Sequence, residues 1–209
     1  MAIKAVTKDI LTSYTIVKPF TEAKMLNFEA PGGWGDPAPL TSHDQSIFEK
    51  TFVGLTGIEY EPHLVSTHVA DGINYAYYGG VKTTTNPSQT GFVIAEVHES
   101  FNGTVSRTNV TTYGMSPQAL GSWADIRLLT PHDQAVFEQA VKGFVGVIHT
   151  PYLVSNQIVN GTNYRYFCIS KTLTQPVNTG ISIVSIHEQT PEAEGDVGKI
   201  KITNITTFG

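Results

Sequence analysis

The chain has 209 residues and a single cysteine, Cys168, so no disulfide can form within it. No stretch approaches the roughly 20 consecutive apolar residues that a bilayer-spanning helix needs. The first residues, MAIKAVTKDILTSY, lack the unbroken apolar segment of a secretory leader. Together these absences point to a cytoplasmic or otherwise intracellular chain, or to a secreted one whose leader has been removed. Charge is also scarce: 15% of residues are charged, the net charge is −5, and neither sign forms a long run. A nucleic-acid surface needs clustered Lys and Arg to displace counterions from phosphates. No nucleic-acid partner is therefore expected and, with no spanning segment, no membrane partner. There is no Gly-rich phosphate loop, no Ser-centred elbow and no carboxylate pair in contrasting environments. The expectation is a protein that is not an enzyme and carries no cofactor.

What the chain does have is enough apolar side chain for a packed core, 40% of the whole with 10% aromatic. It also has a long internal repeat. With Trp34 placed over Trp123, LTSHDQSIFE (Leu40–Glu49) falls without a gap on LTPHDQAVFE (Leu129–Glu138). PHLVS falls on PYLVS and GINYAY on GTNYRY. Further on, Lys82, Pro87, Gly91, His98 and Glu99 fall on Lys171, Pro176, Gly180, His187 and Glu188. The endings TNVTTYG and TNITTFG match once about six extra residues are allowed in the second copy. The repeat reads as a tandem duplication of a unit of about 80 to 90 residues. Residues 31–114 form unit 1. Residues 115–209 hold a linker, within GMSPQALGS, and unit 2. Residues 1–30 are an N-terminal extension able to add a strand through IKAVTKDI or SYTIVKPF.

Each unit has the same internal order. Thr41 and Thr130 suit helix N-caps, with Asp44 and Asp133 near the positive end of the helix dipole. Pro131 suits the first helical position. Ile47, Phe48, Thr51, Phe52 and Leu55 keep helical spacing, as do Val136, Phe137, Ala140, Val141 and Phe144. Gly57 and Gly146 then mark the ends of helices of about four turns. Four segments rich in Val, Ile, Thr and Tyr follow, near 60–70, 73–84, 91–99 and 104–112. In the second unit they lie near 149–159, 162–173, 180–189 and 198–207. The fold class is α+β: two units, each one helix packed on a four- to five-stranded antiparallel sheet. The outer faces of the sheets must be covered by each other or by the extension.

Gln157-Ile158-Val159-Asn160-Gly161 has the form Gln-x-Val-x-Gly and runs directly into Thr162-Asn163-Tyr164. Placed at the first hairpin after a helix, this resembles the cystatin family, particularly its stefin branch. The resemblance spans the unit from the glycine before the helix to the last strand. It implies a helix gripped by a curved antiparallel sheet. It also implies an inhibitor of papain-like cysteine proteases that reversibly occludes the active-site cleft with a three-part wedge. In unit 2 the wedge would take Gly121 as its leading glycine, with Trp123 beside it, and Gln157–Gly161 as its first hairpin. The second hairpin there, EQTPEAEGDVG, is acidic and lacks the family's aromatic residue. In unit 1 the leading segment offers Gly32 and Gly33, and HESFNGT offers Phe101 in place of the usual Trp. The first hairpin of unit 1, however, reads His68-Val69-Ala70-Asp71-Gly72 and lacks both Gln and the second Val. Neither copy carries the complete set.

These residue types suit a tip that enters a cleft. A glycine lets backbone approach a partner closely, a valine adds apolar contact, and a glutamine offers neutral hydrogen bonds without the desolvation cost of a charge. Turn chemistry alone also accounts for the Gly-x-Asn-Tyr that both copies share. Two other function classes stay open: a non-inhibitory binding or adhesion and assembly module, and a small-ligand carrier on the concave sheet face. Exposed edge strands also leave room for a homodimer through sheet edges. Seven histidines invite a metal reading, with His43 and His132 at helix starts and His98 and His187 at strand ends, but a site needs three or four converging ligands, so no metal is expected. Cys168 alternates with Tyr164 and Tyr166 and reads as a small buried residue. Trp34 and Trp123 read as clamps at the helix entry. The glycosylation triplets at Asn102, Asn109, Asn160 and Asn204 read as turn and strand chemistry.

Overall fold

A computed structural model describes residues 34–208, apart from 119–120, 176, 178 and 191–197. The strand expected from residues 1–30, and Gly32 and Gly33, lie outside the described residues.

Both helices begin as the capping residues require. Helix α1 is Ser42–Phe52 and α2 is Pro131–Val141, each capped by a threonine in a reciprocal capping box with the aspartate three residues on. The backbone N–H of Thr41 donates to the Asp44 carboxylate at 2.7 Å, and Thr130 does the same to Asp133 at 2.7 Å. The helices have 11 residues, about three turns rather than the four expected. They stop just before Gly54 and Gly143, whose φ values of 78° and 86° are left-handed and end the helix, so Gly57 and Gly146 fall later in the loops. Leu55 and Phe144 therefore leave the buried stripe and stand in exposed turns.

Among the described residues the strands form two five-stranded antiparallel sheets. The first holds β1 (Ala38–Pro39), β2 (Ile58–Val69), β3 (Ile73–Thr83), β4 (Gln89–Glu99) and β5 (Val105–Pro117), in that order. The second holds β6 (Arg127–Leu128), β7 (Val147–Ile158), β8 (Thr162–Thr172), β9 (Thr179–Glu188) and β10 (Ile200–Phe208), ordered β10-β9-β8-β7-β6. Strands β1 and β6 were not legible as strands. Each has two residues, and β1 joins the sheet only through Ala38 opposite Val65 and Pro39 opposite Leu64. Strand β5 runs on through Gly114 to Pro117, past the expected end of the first unit.

Three apolar clusters stack these elements into four layers: helix, sheet, sheet, helix. Ile47, Phe48 and Phe52 of α1 pack on Val65, Tyr75, Tyr77, Ala95 and Val97. Val136 and Phe137 of α2 pack on Val154, Tyr164, Tyr166, Cys168, Val184 and Ile186. Between the sheets, Leu64, Ala76, Tyr78, Phe92 and Ile94 meet Ile126, Leu153, Phe167 and Ile183. Strand β3 is buried on both faces, which is why YAYYGGV shows no polar alternation. Residues at matching places in the two repeats touch each other here. The rings of Tyr78 and Phe167 lie 6.3 Å apart, and those of Tyr113 and Phe208 4.9 Å apart. Self-matching contacts of this kind are what a two-fold relation produces near its axis. Each sheet thus covers the other, while the β2–β3 and β7–β8 turns stay exposed, Val69 by 52% and Ile158 by 75%.

Candidate functional site

In each half, three chain segments meet at one end of the sheet. In the second half the β7–β8 turn is Val159-Asn160-Gly161, closed by the Val159 N–H donating to the Gly161 carbonyl at 3.0 Å. Asn160 and Gly161 have φ values of 48° and 107°. A Cβ at Gly161 would collide with the carbonyl oxygen of Glu188, so the turn sits directly against the end of β9. The Gln157 side-chain amide donates to the carbonyl of Gly121 at 2.6 Å. The leading segment is thereby tied to the first hairpin. Ile158 and Val159 stand out from this frame, 75% and 49% exposed. Of the neighbouring β9–β10 hairpin, Gln189 and Lys199 close the base, the Gln189 N–H donating to the Lys199 carbonyl at 3.0 Å. Residues 191–197 of that acidic loop lie outside the described residues.

The first half repeats the frame with different side chains. Ala70 N–H donates to the Gly72 carbonyl at 3.1 Å, and Gly72 presses on the carbonyl of Glu99 as Gly161 does on that of Glu188. His68 replaces Gln157, and the ring of Trp34 lies 5.5 Å from the His68 ring. The β4–β5 turn is held by the Ser100 N–H donating to Thr104 at 2.9 Å and by the Asn102 side chain accepting from Thr104 N–H at 2.9 Å. This turn presents Phe101 at 84% exposure. Trp123, the counterpart of Trp34, enters at the matching place, Ala124 N–H donating to the Asn156 carbonyl at 2.8 Å as Gly35 N–H does to that of Thr67 at 3.1 Å, but its ring has a different partner, the Arg165 guanidinium 4.0 Å over it. The two rings therefore pack on different side chains, His68 and Arg165.

At the base of the β2–β3 and of the β7–β8 turn lies a Tyr–Glu–His group that no sequence motif announces. Tyr75 Oη donates to Glu99 Oε2 at 2.7 Å, and His43 Nε2 lies 3.3 Å from the same oxygen. Tyr164 donates to Glu188 at 2.7 Å, with His132 at 3.2 Å. The tyrosine hydrogen bond holds the Glu99 carboxyl below the usual range, although burial opposes it, and His43 adds to the effect. Burial, then the bond to the carboxylate, raises the pKa of Tyr75 and Tyr164. The signal in the sequence was the joint recurrence of His43 with Glu99 and of His132 with Glu188, which join helix start to strand end. Among the described residues, no three His, Cys, Asp or Glu side chains converge as metal ligands. Cys168 is fully buried in the α2 cluster, and burial pushes its thiol pKa up, so no thiolate nucleophile is offered.

Neither a family model nor a curated protein matches the chain. Among solved structures the chain is similar to the crystal structure of mouse fetuin-B, at 13% identity and a TM-score of 0.32 over 86% of this chain and 71% of that one. It is likewise similar to a chain in the inhibitory complex of human meprin beta with mouse fetuin-B, at 12% identity and a TM-score of 0.32 over 86% of this chain and 75% of that one. Likeness at that level assigns no family.

Proposed function

We propose that this protein is a tandem cystatin-like inhibitor that reversibly occludes the cleft of a papain-like cysteine protease, and that its second half does the binding. The observation that carries this reading is the Gln157–Gly161 hairpin. Its apolar pair Ile158 and Val159 is exposed, while the Gln157 side chain fixes the leading Gly121 beside it. A tip already held in shape loses little entropy on binding. Titration of papain and several cathepsin-like proteases with the full chain tests the reading. Stoichiometric loss of activity is expected, and unchanged activity at micromolar protein would sink it.

The acidic composition of 188–198 and the missing aromatic in that loop favour a second reading, a non-inhibitory binding or assembly module with the same fold. Capture of a protein partner through the tips, without inhibition of any protease in the panel, would select it.

A further inference from the structure

The repeat gives an internal reference: wherever the second half departs from the first on the surface, the fold does not require the change. One such departure is concentrated at the end of the second sheet away from the hairpin tips, where α2 ends, β7 begins and β8 ends. There Leu55, Thr56, Glu59 and Thr84 of the first half are matched by Phe144, Val145, Ile148 and Leu173. All four apolar replacements are exposed, Val145 by 86% and Leu173 by 62%. The two loops that carry Phe144, Val145 and Leu173 are fastened together by the Leu173 N–H donating to the Gly146 carbonyl at 2.9 Å, and Ile148 follows at the start of β7. They form an exposed apolar crest of two adjacent turns and the start of β7. A protruding crest, unlike a groove, has no walls to grip a peptide.

Charge changes in the same direction. From Gln139 to His187 the chain contains no Asp or Glu, although its net charge is −5. The four carboxylates in the matching stretch of the first half, Glu59, Glu61, Asp71 and Glu96, correspond to Ile148, Thr150, Asn160 and Ser185. Two exposed lysines flank the crest. Lys142 follows α2, and Lys171 pairs directly with Ile148 across β7 and β8.

We infer that this crest docks the protein on an anionic lipid surface, Phe144, Val145, Ile148 and Leu173 entering the interface while Lys142 and Lys171 meet the headgroups. Apolar burial and lysine–headgroup attraction together give reversible interfacial binding without the spanning segment on whose absence the expectation of no membrane partner rested. A second copy fits the crest less well, because an isologous contact would set Lys142 and Lys171 near their own counterparts. The hairpin tips lie at the other end of β7, roughly 35 Å away at the rise of a strand, so docking leaves them facing the solvent.

The test is co-sedimentation of the full chain with vesicles of phosphatidylcholine alone and with added phosphatidylserine. Binding to the serine-containing vesicles only, weakened by salt, is expected. The variant Val145→Thr with Leu173→Thr carries side chains of the first half at exposed positions and should bind about tenfold more weakly. Lys142→Gln with Lys171→Gln should remove the preference for phosphatidylserine. No sedimentation with either vesicle, or equal binding by wild type and both variants, overturns the inference. A concentration-dependent dimer abolished by Val145→Thr with Leu173→Thr also overturns it, since the crest would then be an interface between copies.

Discussion

At the scale of single residues, the repeated Gly-x-Asn-Tyr divides from the Gln and Val that precede it for a physical reason. Each of the shared residues faces the end of the neighbouring strand. Gly161 lies against the Glu188 carbonyl, Asn163 Oδ1 lies 2.8 Å from His187 Nδ1, and Tyr164 donates to Glu188. Gly72, Asn74 and Tyr75 make the same contacts with Glu99 and His98. These contacts explain why the His-Glu pair recurs with the turn, which the sequence showed only as separate coincidences. Gly161→Ala should cost about 2 kcal/mol of unfolding free energy in a denaturant titration, because φ is positive and the carbonyl blocks the methyl. A second residue-scale prediction concerns His149, at the place of Tyr60. Its Nδ1 lies 2.6 Å from Ser170 Oγ and 3.1 Å from Ser182 Oγ, and burial pushes its pKa below the ordinary value. The unfolded chain then binds the proton more readily. The contribution of His149 is whole above the ordinary histidine value of about 6.5 and is lost as pH falls through the lower folded value. His149→Gln should flatten the fall in stability on the acid side relative to wild type, as read by unfolding titrations across that range.

At the scale of elements, most of the pattern was legible because it rests on local chemistry. Thr41 and Thr130 cap, the strands alternate or run apolar according to their covering, and the breaks carry Gly, Asn and Pro. The helices are shorter than their apolar spacing suggests because Leu55 and Phe144 continue that spacing while Gly54 and Gly143, nearer in sequence, take the left-handed turn that ends the helix. Two-residue strands such as β1 have no pattern to read. Their pairing is set by the partner strand. Thr41→Ala and Thr130→Ala should each lower stability by about 1 kcal/mol. The second loss should grow if Asp133 is also removed. Burial works against the Asp133 charge, but hydrogen bonds from Arg127 and Thr130 outweigh it and hold its pKa low.

At the scale of the whole molecule, the pairing of the two sheets was foreseen only as one option, since no residue pattern says which of two apolar faces meets which. Phe167 marks the centre of that contact, beside Tyr78, Phe92 and Tyr113. Phe167→Ala should cost about 3 to 5 kcal/mol and lower the cooperativity between the halves. Arg165, matched by Ala76 in the first half, lies buried in the same region. It donates to the Gly114 carbonyl at 2.6 Å and to Ser116 Oγ at 3.0 Å, while Nε and one Nη have no hydrogen-bond partner among the described residues. Burial lowers its pKa to about 10, which still leaves it charged at neutral pH. A hydrophobe of similar length should therefore be tolerated. Arg165→Met should lie within about 1 kcal/mol of wild type, while Arg165→Ala, which leaves a void beside Trp123, should cost about 3 kcal/mol. The central claim sets the two otherwise matching tips against each other. The direct measurement is papain inhibition by Val159→Asp and by Ala70→Asp, the same side chain placed at matching exposed tip positions. Inhibition weakened about tenfold or more by Val159→Asp and unchanged by Ala70→Asp is the predicted result, and equal loss from both, or loss from Ala70→Asp alone, would contradict it.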